Sequence, residues 1–458
     1  MLYLFMLLMI IFIVVFEIYW LMMQTGFYFL LFITTCLQEL LKGFSVLYLD
    51  TGKYNLELNN YTTSTHTGIT YFVYLSFFYL FLNLIITIFN EKIVKTTDVL
   101  VAYPIKDIRY TLVYAVGYFG IAYLLMDMLV SGIPLLSGGS IDRYNYWADY
   151  STLPLAKYVS LMLTIMCVAA GMDYATQRIQ ARKNNRWIYL IALIFLFRIL
   201  LGYKASGLVD LVIGFAVGYF YRTCTFKTNK KQSIVKLIAF IIVIYVVLIL
   251  FFAITQIISG KYATFDEAIQ AIFDRTLSLS GHMEWSVLSD PSVSHSWWIN
   301  NPNEITSIFR GADDMDPDLG VYVLMDKYAP FETFNVYFDR KVRFVAGFIG
   351  VSVFYNGRIL TILLCACNAL ILAVFYYQFI RLARKNYVLT FSLLYYVYNL
   401  FTTYLDGSGT LTSFWNINTY VYLVGIVLIY YIEKSFLSDR FQYNIRVLPK
   451  HSEFKVNY

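Results

Sequence analysis

The amino-acid sequence predicts an all-α polytopic membrane protein, and three features carry that prediction. Of the 458 residues 59% are hydrophobic, with a mean hydropathy of +0.62. Only 14% are charged, against roughly a quarter in a soluble domain. The apolar residues come in long runs, and Lys and Arg gather in alternate gaps between the runs.

Taking about twenty apolar residues per span, the runs give roughly eleven helices, near 2–23, 27–49, 69–90, 110–131, 156–172, 187–201, 207–222, 235–258, 358–381, 387–405 and 414–433. The first run has no basic leader and continues directly into further apolar sequence, so it reads as a retained helix rather than a cleaved signal. The stretch from Trp187 to Tyr221 is too long for one span. It reads as a broken helix pair around 202–207, interrupted by Gly202-Tyr203-Lys204-Ala205-Ser206-Gly207. The chain thus divides into helices in 1–258, a long loop with amphipathic helices in 259–357, further helices in 358–433 and a tail in 434–458.

Orientation follows from the basic loops. Lys92, Lys95, Lys106 and Arg109 follow the third run, Arg178, Arg182, Lys183 and Arg186 the fifth, and Arg222, Lys227, Lys230, Lys231 and Lys236 the seventh. Arg381, Arg384 and Lys385 follow the ninth, and Lys434, Arg440 and Arg446 the last. These loops are expected in the cytoplasm with the C-terminus, and the N-terminus outside. The other face then carries 50–68, 132–155, 202–206, 259–357 and 406–413. Long loops in compact proteins tend to be functional, so the outward face is the expected working face. Within 259–357, Phe265, Ile269, Ile272 and Phe273 recur at helical spacing. Val321 to Met325 forms a second apolar element, and Trp285, Trp297 and Trp298 suit the membrane interface. Phe344 to Tyr355 is expected to dip back into the bilayer.

The residue inventory argues against several chemistries. Cys36, Cys167, Cys224, Cys365 and Cys367 lie in spans or at a cytoplasmic edge, which implies no outward disulfide framework. His66, His282, His295 and His451 are not spaced for zinc. The acidic run Asp313 to Asp318 fails as a calcium loop, with Leu319 where Gly is required and Met325 where Glu belongs. No metal or cofactor is expected, and no nucleic acid.

Arg143, Arg198, Lys204, Arg275, Arg310, Arg340, Arg343 and Arg358 map to the outward side or the outer half of a span. Arginine grips phosphate through paired hydrogen bonds, and the apolar helices around it suit a hydrocarbon chain. A substrate with an anionic head and a lipid tail is therefore expected. Tyr144, Tyr146, Trp147 and Tyr150 suit sugar faces or an aromatic belt. Arg198 and Asp210 flank Lys204 and are read either as an ion pair or as part of the site. Glu39 and Lys42, three residues apart, are expected to satisfy each other. Neither Glu39 nor Asp127 is assigned a catalytic role.

The order of these features resembles the O-antigen and oligosaccharide repeat-unit polymerases, bacterial inner-membrane proteins with a large periplasmic loop between late helices. Gly132-Ile133-Pro134-Leu135-Leu136 followed by Asp142-Arg143-Tyr144 is similar to the family's Gly-Ile-Pro-like loop preceding an Arg. Leu201 to Gly207 is similar to its helix break, with Lys204 where the family often has Arg. Asp274-Arg275-Thr276, with His282 and Glu284 downstream, resembles the opening of the long loop, and Gly347 to Gly357 the Gly-rich stretch that closes it.

The resemblance implies transfer of a growing polysaccharide from one undecaprenyl-diphosphate carrier onto a carrier-linked repeat unit in the periplasm. Arg143, Lys204 and Arg275 would stabilise the leaving diphosphate, with Arg198 supporting them or paired elsewhere. His282, Glu284, Asp290 and Asp406 are the candidate bases, His282 having the most suitable ordinary pKa. Implied partners are undecaprenyl-diphosphate-linked glycans, membrane lipid, a flippase and a chain-length regulator. An O-antigen ligase, a lipid-linked oligosaccharide flippase or transporter, and a membrane scaffold are the rival readings.

Overall fold

A computed structural model of the chain describes residues 2–52, 55, 57, 58, 66–96, 108–137, 141, 146–180, 184–202, 205–223, 262–294, 318–339 and 342–441, with isolated positions between 239 and 257 and at 297, 306 and 308. Among the described residues every regular element is helical. In order these are α1 (Leu2–Thr25), α2 (Ile33–Asp50), α3 (Thr67–Thr96), α4 (Ile108–Ser131), α5 (Ala156–Ile179), α6 (Arg186–Leu200) and α7 (Ala205–Thr223). The inserted segment contributes α8 (Phe265–Leu279), α9 (His282–Ser289), α10 (Gly320–Tyr328) and α11 (Phe331–Asp339). Three further helices follow, α12 (Phe348–Arg384), α13 (Val388–Thr403) and α14 (Ile417–Phe441).

Among the described residues six stretches are helical, long and apolar enough to cross a membrane: Tyr3–Leu31, Thr67–Ile93, Arg109–Leu136, Ala156–Ile179, Phe348–Arg384 and Leu411–Ser435. By helix length and hydropathy the chain is a multi-pass membrane protein. The expectation of eleven spans is corrected: six qualify among the described residues. The run at 27–49 becomes a 3-10 segment, Gly26–Leu31, and an 18-residue helix carrying buried Glu39 and Lys42. α6 has 15 residues and α13 has 16. At 1.5 Å per residue these reach only about 22–24 Å, short of a hydrocarbon core of about 30 Å. The expected span at 235–258 lies largely outside the described residues. α6 and α7 do separate near 202, where Gly202 has φ of 70°.

Packing follows side-chain size. α5 and α7 meet along small residues, as spanning helices do where van der Waals contact must replace a hydrophobic driving force. A methyl group on Gly171 would strike the Phe215 carbonyl oxygen, and one on Gly218 the Val168 carbonyl oxygen. α3 packs against α1, α2 and α12. α1 leaves Leu4, Phe5, Leu8, Phe12 and Phe16 exposed, and α14 leaves Val421, Val424 and Leu428 exposed. Such continuous apolar faces suit lipid.

Polar groups staple each end of the bundle. At the end bearing the basic residues, Glu433 accepts from Arg109 (3.0 Å) and from the Leu389 and Thr390 amides (3.1 and 3.0 Å). A carboxylate there satisfies the free N–H groups and the positive dipole at the start of α13. Arg222 complements it by donating at 2.9 Å to the Ala383 and Arg384 carbonyls at the end of α12. At the opposite end Asp127 of α4 accepts from Tyr146, Ser151, Thr152 and Leu153, each at 3.0 Å. It is a clamp for the loop after α4.

α12 contains a reversal. Gly357 has φ of 77° and ψ of 175°, a conformation open to glycine and closed to most other residues. Phe348 packs on Phe78 of α3, yet Cys365, further along, donates its thiol to the Tyr74 carbonyl, one turn nearer the inserted helices. The chain therefore climbs before Gly357 and descends after it, which is the shape of a re-entrant segment.

Gly171→Ala and Gly218→Ala should each lower stability by about 1–3 kcal/mol through overpacking, read as a fall in unfolding midpoint in detergent. Gly425→Ala, which meets nothing within 4 Å, is the neutral control.

Candidate functional site

The site begins with α2, which carries Glu39 and Lys42 one turn apart on a buried face. The Lys42 ammonium donates to Glu39 Oε1 at 2.6 Å, and the Tyr71 hydroxyl of α3 donates to Glu39 Oε2 at 2.6 Å. Glu39 is thereby fully engaged as a carboxylate. Lys42 also stands 3.9 Å from Glu284 Oε1, on the inserted helix α9. Glu39 and Glu284 are 0% exposed and Lys42 2%.

Backbone completes the arrangement. The Gly347 amide donates to Glu284 Oε1. A side chain at Gly347 would collide with the Lys42 ammonium and the Glu284 carboxylate, and one at Gly350 would come within 3.1 Å of Glu284 Cα. α9 reaches this depth because Gly281 lies flush on α2, where a Cβ would sit 2.5 Å from the Lys42 carbonyl oxygen. Its amide donates to Ser45 Oγ at 3.0 Å, and Ser280 Oγ donates to the Leu41 carbonyl at 3.2 Å. Trp285 adds a 3.0 Å bond to Asp50. The inserted segment is thus stitched along the length of α2.

Asp406 approaches from the far side. It sits in the wide turn Tyr404–Ser408 that ends α13, accepts from Thr35 Oγ1 at 3.0 Å, and lies within electrostatic reach of Lys42. The same turn receives the Ala346 amide on the Gly407 carbonyl at 3.2 Å. Three carboxylates therefore surround one ammonium in a buried interior, where charge balance dominates the energetics. Lys42 is committed to Glu39. Burial pushes the Glu284 carboxyl above the ordinary carboxylate range, and Lys42 and the Gly347 amide offset this only in part. Its second oxygen is buried and makes no hydrogen bond among the described residues.

His282, one turn-face away on α9, points elsewhere. Its Nδ1 lies 2.8 Å from the Leu279 carbonyl, which can only accept, so Nδ1 carries the proton. Nε2 stands 3.3 Å from Glu57 Oε2, in ion-pair range but outside hydrogen-bond geometry. Burial lowers the imidazole pKa below its ordinary value, opposed by the Glu57 charge and the Leu279 carbonyl.

The structure therefore brings Glu284 and Asp406 into one cluster and leaves His282 beside it, all three 4% exposed or less. Arg198 is buried and donates to the Ser160 carbonyl of α5 at 3.0 Å, tying α6 to α5. Arg143, Lys204, most of the acidic run from Asp313, and the side chains of Asp210 and Arg275 lie outside the described residues; the Arg275 backbone lies in α8. Asp290 lies on the inserted segment and pairs with Lys327 at 2.7 Å. Among the described residues no three His, Cys, Asp or Glu gather as a metal site. The i,i+3 pairing of Glu39 with Lys42 is as expected from the sequence; that Glu284 joins them is not legible there. The available signal was Gly281, Gly347 and Gly350, small residues spaced where chains approach closely.

A family model described as "Family of unknown function (DUF6418)" matches residues 314–423. That segment includes Gly347, Gly357 and Asp406 but neither Lys42 nor Glu284. No curated protein and no solved structure matches the chain.

Lys42→Met should destabilise by about 3–5 kcal/mol, because it strands buried carboxylates. Adding Glu39→Gln should restore most of that loss, measured as unfolding midpoints of the single and double variants. For His282 the folded pKa is below the unfolded value of about 6.5, so the unfolded state binds the extra proton. Its contribution is complete above that pH and is lost as pH falls through it. The drop in unfolding midpoint from pH 7.5 to pH 5.5 should accordingly be smaller in His282→Asn than in wild type; equal drops would exclude His282 as the source.

Proposed function

We propose that the protein is a membrane glycosyltransferase that polymerises undecaprenyl-diphosphate-linked repeat units into a surface polysaccharide at the periplasmic face of the bacterial inner membrane. One observation supports this reading over a transporter. The inserted helices are fastened to α2 and α12 through buried charges, and parting such a pair costs about 3–5 kcal/mol. Alternating access works by rocking one bundle against another, which this interface resists. A fixed roof over one end of a helical bundle instead suits an enzyme that holds two lipid-anchored glycans in register.

In the proposed reaction the bond from the sugar's anomeric carbon to the diphosphate breaks, with its electron pair leaving on the diphosphate. An acceptor hydroxyl of the incoming unit forms the new glycosidic bond, and its proton passes to the departing diphosphate or to bulk water. Negative charge accumulates on the diphosphate, so cations placed beforehand lower the barrier. Arg143, Lys204 and Arg275 are the proposed cations. The burial of Glu284, Asp406 and His282 favours a positioning role for them, holding the inserted segment against the bundle.

The test is complementation of a deletion strain with surface polysaccharide read as a ladder on a gel. Wild type should restore the full ladder. The deletion, and Arg143→Ala, Lys204→Ala or Arg275→Ala at matched membrane expression, should leave a single repeat unit on core lipid. Long carrier-linked chains that never reach core lipid would make the protein a ligase, and an unchanged ladder would sink both.

A further inference from the structure

Arg358 opens the descending half of α12 directly after the Gly357 reversal. Helical periodicity places it on the same stripe as Thr361, Cys365, Ala369, Leu372 and Tyr376, every one of them buried. Its side chain consequently faces the bundle and not the lipid. Arg358 is half-buried, its Nε is buried without a hydrogen bond, and no ion pair reaches its guanidinium among the described residues. On α3, Tyr74 is 4% exposed and packs against this stripe, its carbonyl accepting from the Cys365 thiol at 3.8 Å, and it lies within electrostatic reach of the Arg358 guanidinium. The Tyr74 hydroxyl also makes no hydrogen bond among the described residues.

A guanidinium does not give up its proton, so one drawn into a helical bundle needs an anion or backbone carbonyls to receive its donors. Lys42 has Glu39 and Arg198 has the Ser160 carbonyl, whereas Arg358 has neither kind of partner among the described residues. Arg358 offers a planar fork of donors and Tyr74 a further O–H, a set that matches phosphate oxygens. On the neighbouring face of the helix Ile359 and Leu363 are 42% and 52% exposed, which leaves an apolar path from the guanidinium into lipid. The Ile359 amide is held by the Trp297 carbonyl at 3.4 Å, so the inserted segment touches the chain beside the same spot.

We propose that Arg358 and Tyr74 bind the phosphate end of an isoprenoid diphosphate at the mouth of the bundle, with the hydrocarbon chain leaving past Ile359 and Leu363. The proposal rests on the carrier-lipid reading above and adds two binding residues to it. A bulk phospholipid offers the same phosphate chemistry, and its headgroup is the competing source.

The test uses the purified full-length chain in nanodiscs, with undecaprenyl diphosphate, inorganic pyrophosphate and dioleoylphosphatidylglycerol as separate probes, and binding read by native mass spectrometry and ligand-induced thermal shift. Wild type should bind undecaprenyl diphosphate at least about tenfold more tightly than phosphatidylglycerol. Arg358→Gln should lose about tenfold or more of that affinity and Tyr74→Phe a few-fold, with Arg358→Lys between wild type and Arg358→Gln. The ligand-free unfolding midpoint of Arg358→Gln should stay at or above wild type, since no anion is stranded by removing the charge; Arg358→Lys and Tyr74→Phe keep the test open if it falls. Equal binding by wild type and Arg358→Gln overturns the site. Equal binding of both lipids by wild type makes it a general headgroup contact and overturns the proposal. Arg358-dependent binding in a protein whose deletion leaves the ladder intact would support the site and sink the polymerase reading. A collapsed ladder with no Arg358-dependent binding would do the reverse.

Discussion

One ammonium among three carboxylates governs this molecule. Lys42 cannot leave the interior without stranding Glu39, and Glu39 is held in turn by Tyr71. Glu284 and Asp406 arrive from separate parts of the chain and accept the same positive charge as neighbour. Because removing one partner of a buried ionic set costs far more than the set contributes, this cluster defines position more than it adds stability. The inserted helices, the Gly347 backbone and the turn after α13 have one arrangement that leaves each of these groups a partner.

Several features follow from that constraint. Gly347 must lack a side chain because Lys42 and Glu284 occupy the space. With Gly347 drawn to the depth of Lys42, the chain has to climb back before it can span, and Gly357 supplies the reversal. The reversal then sets Arg358 at the head of a buried stripe. A charge at the mouth of the bundle is thus a consequence of a charge cluster deeper within it. At the opposite end, Glu433 and Arg222 hold helix termini by the ordinary pairing of carboxylate with amides and guanidinium with carbonyls.

Much of the architecture was legible in residue order. Hydropathy and the spacing of Lys and Arg give a helical membrane protein, and the chain does break at Gly357, just after the segment Phe344 to Tyr355 that was expected to dip back. Span number was not legible, because hydropathy reports composition and not helix continuity. The run at 27–49 averages apolar while containing Glu39 and Lys42, and the runs at 187–201 and 387–405 are apolar yet too short as helices. The cluster itself was half visible. Glu39 and Lys42 pair within one turn, which local spacing predicts. Glu284 lies 242 positions after Lys42 in the numbering, and no local pattern joins them. His282 was the more conspicuous residue from its chemistry, but the helix turns it toward Glu57 and away from the ammonium.

The central claim is that Lys42, Glu284 and Gly347 lock the inserted segment to the bundle as one unit. Native-state hydrogen exchange tests it most directly, comparing wild type with Glu284→Ala in nanodiscs. If the lock exists, the amides of 282–289 and 347–351 exchange slowly and at a common rate in wild type, and both groups lose protection together in the variant while Leu389 and Thr390 at the far end do not. Independent exchange of the two segments in wild type, or protection unchanged by Glu284→Ala, would contradict it.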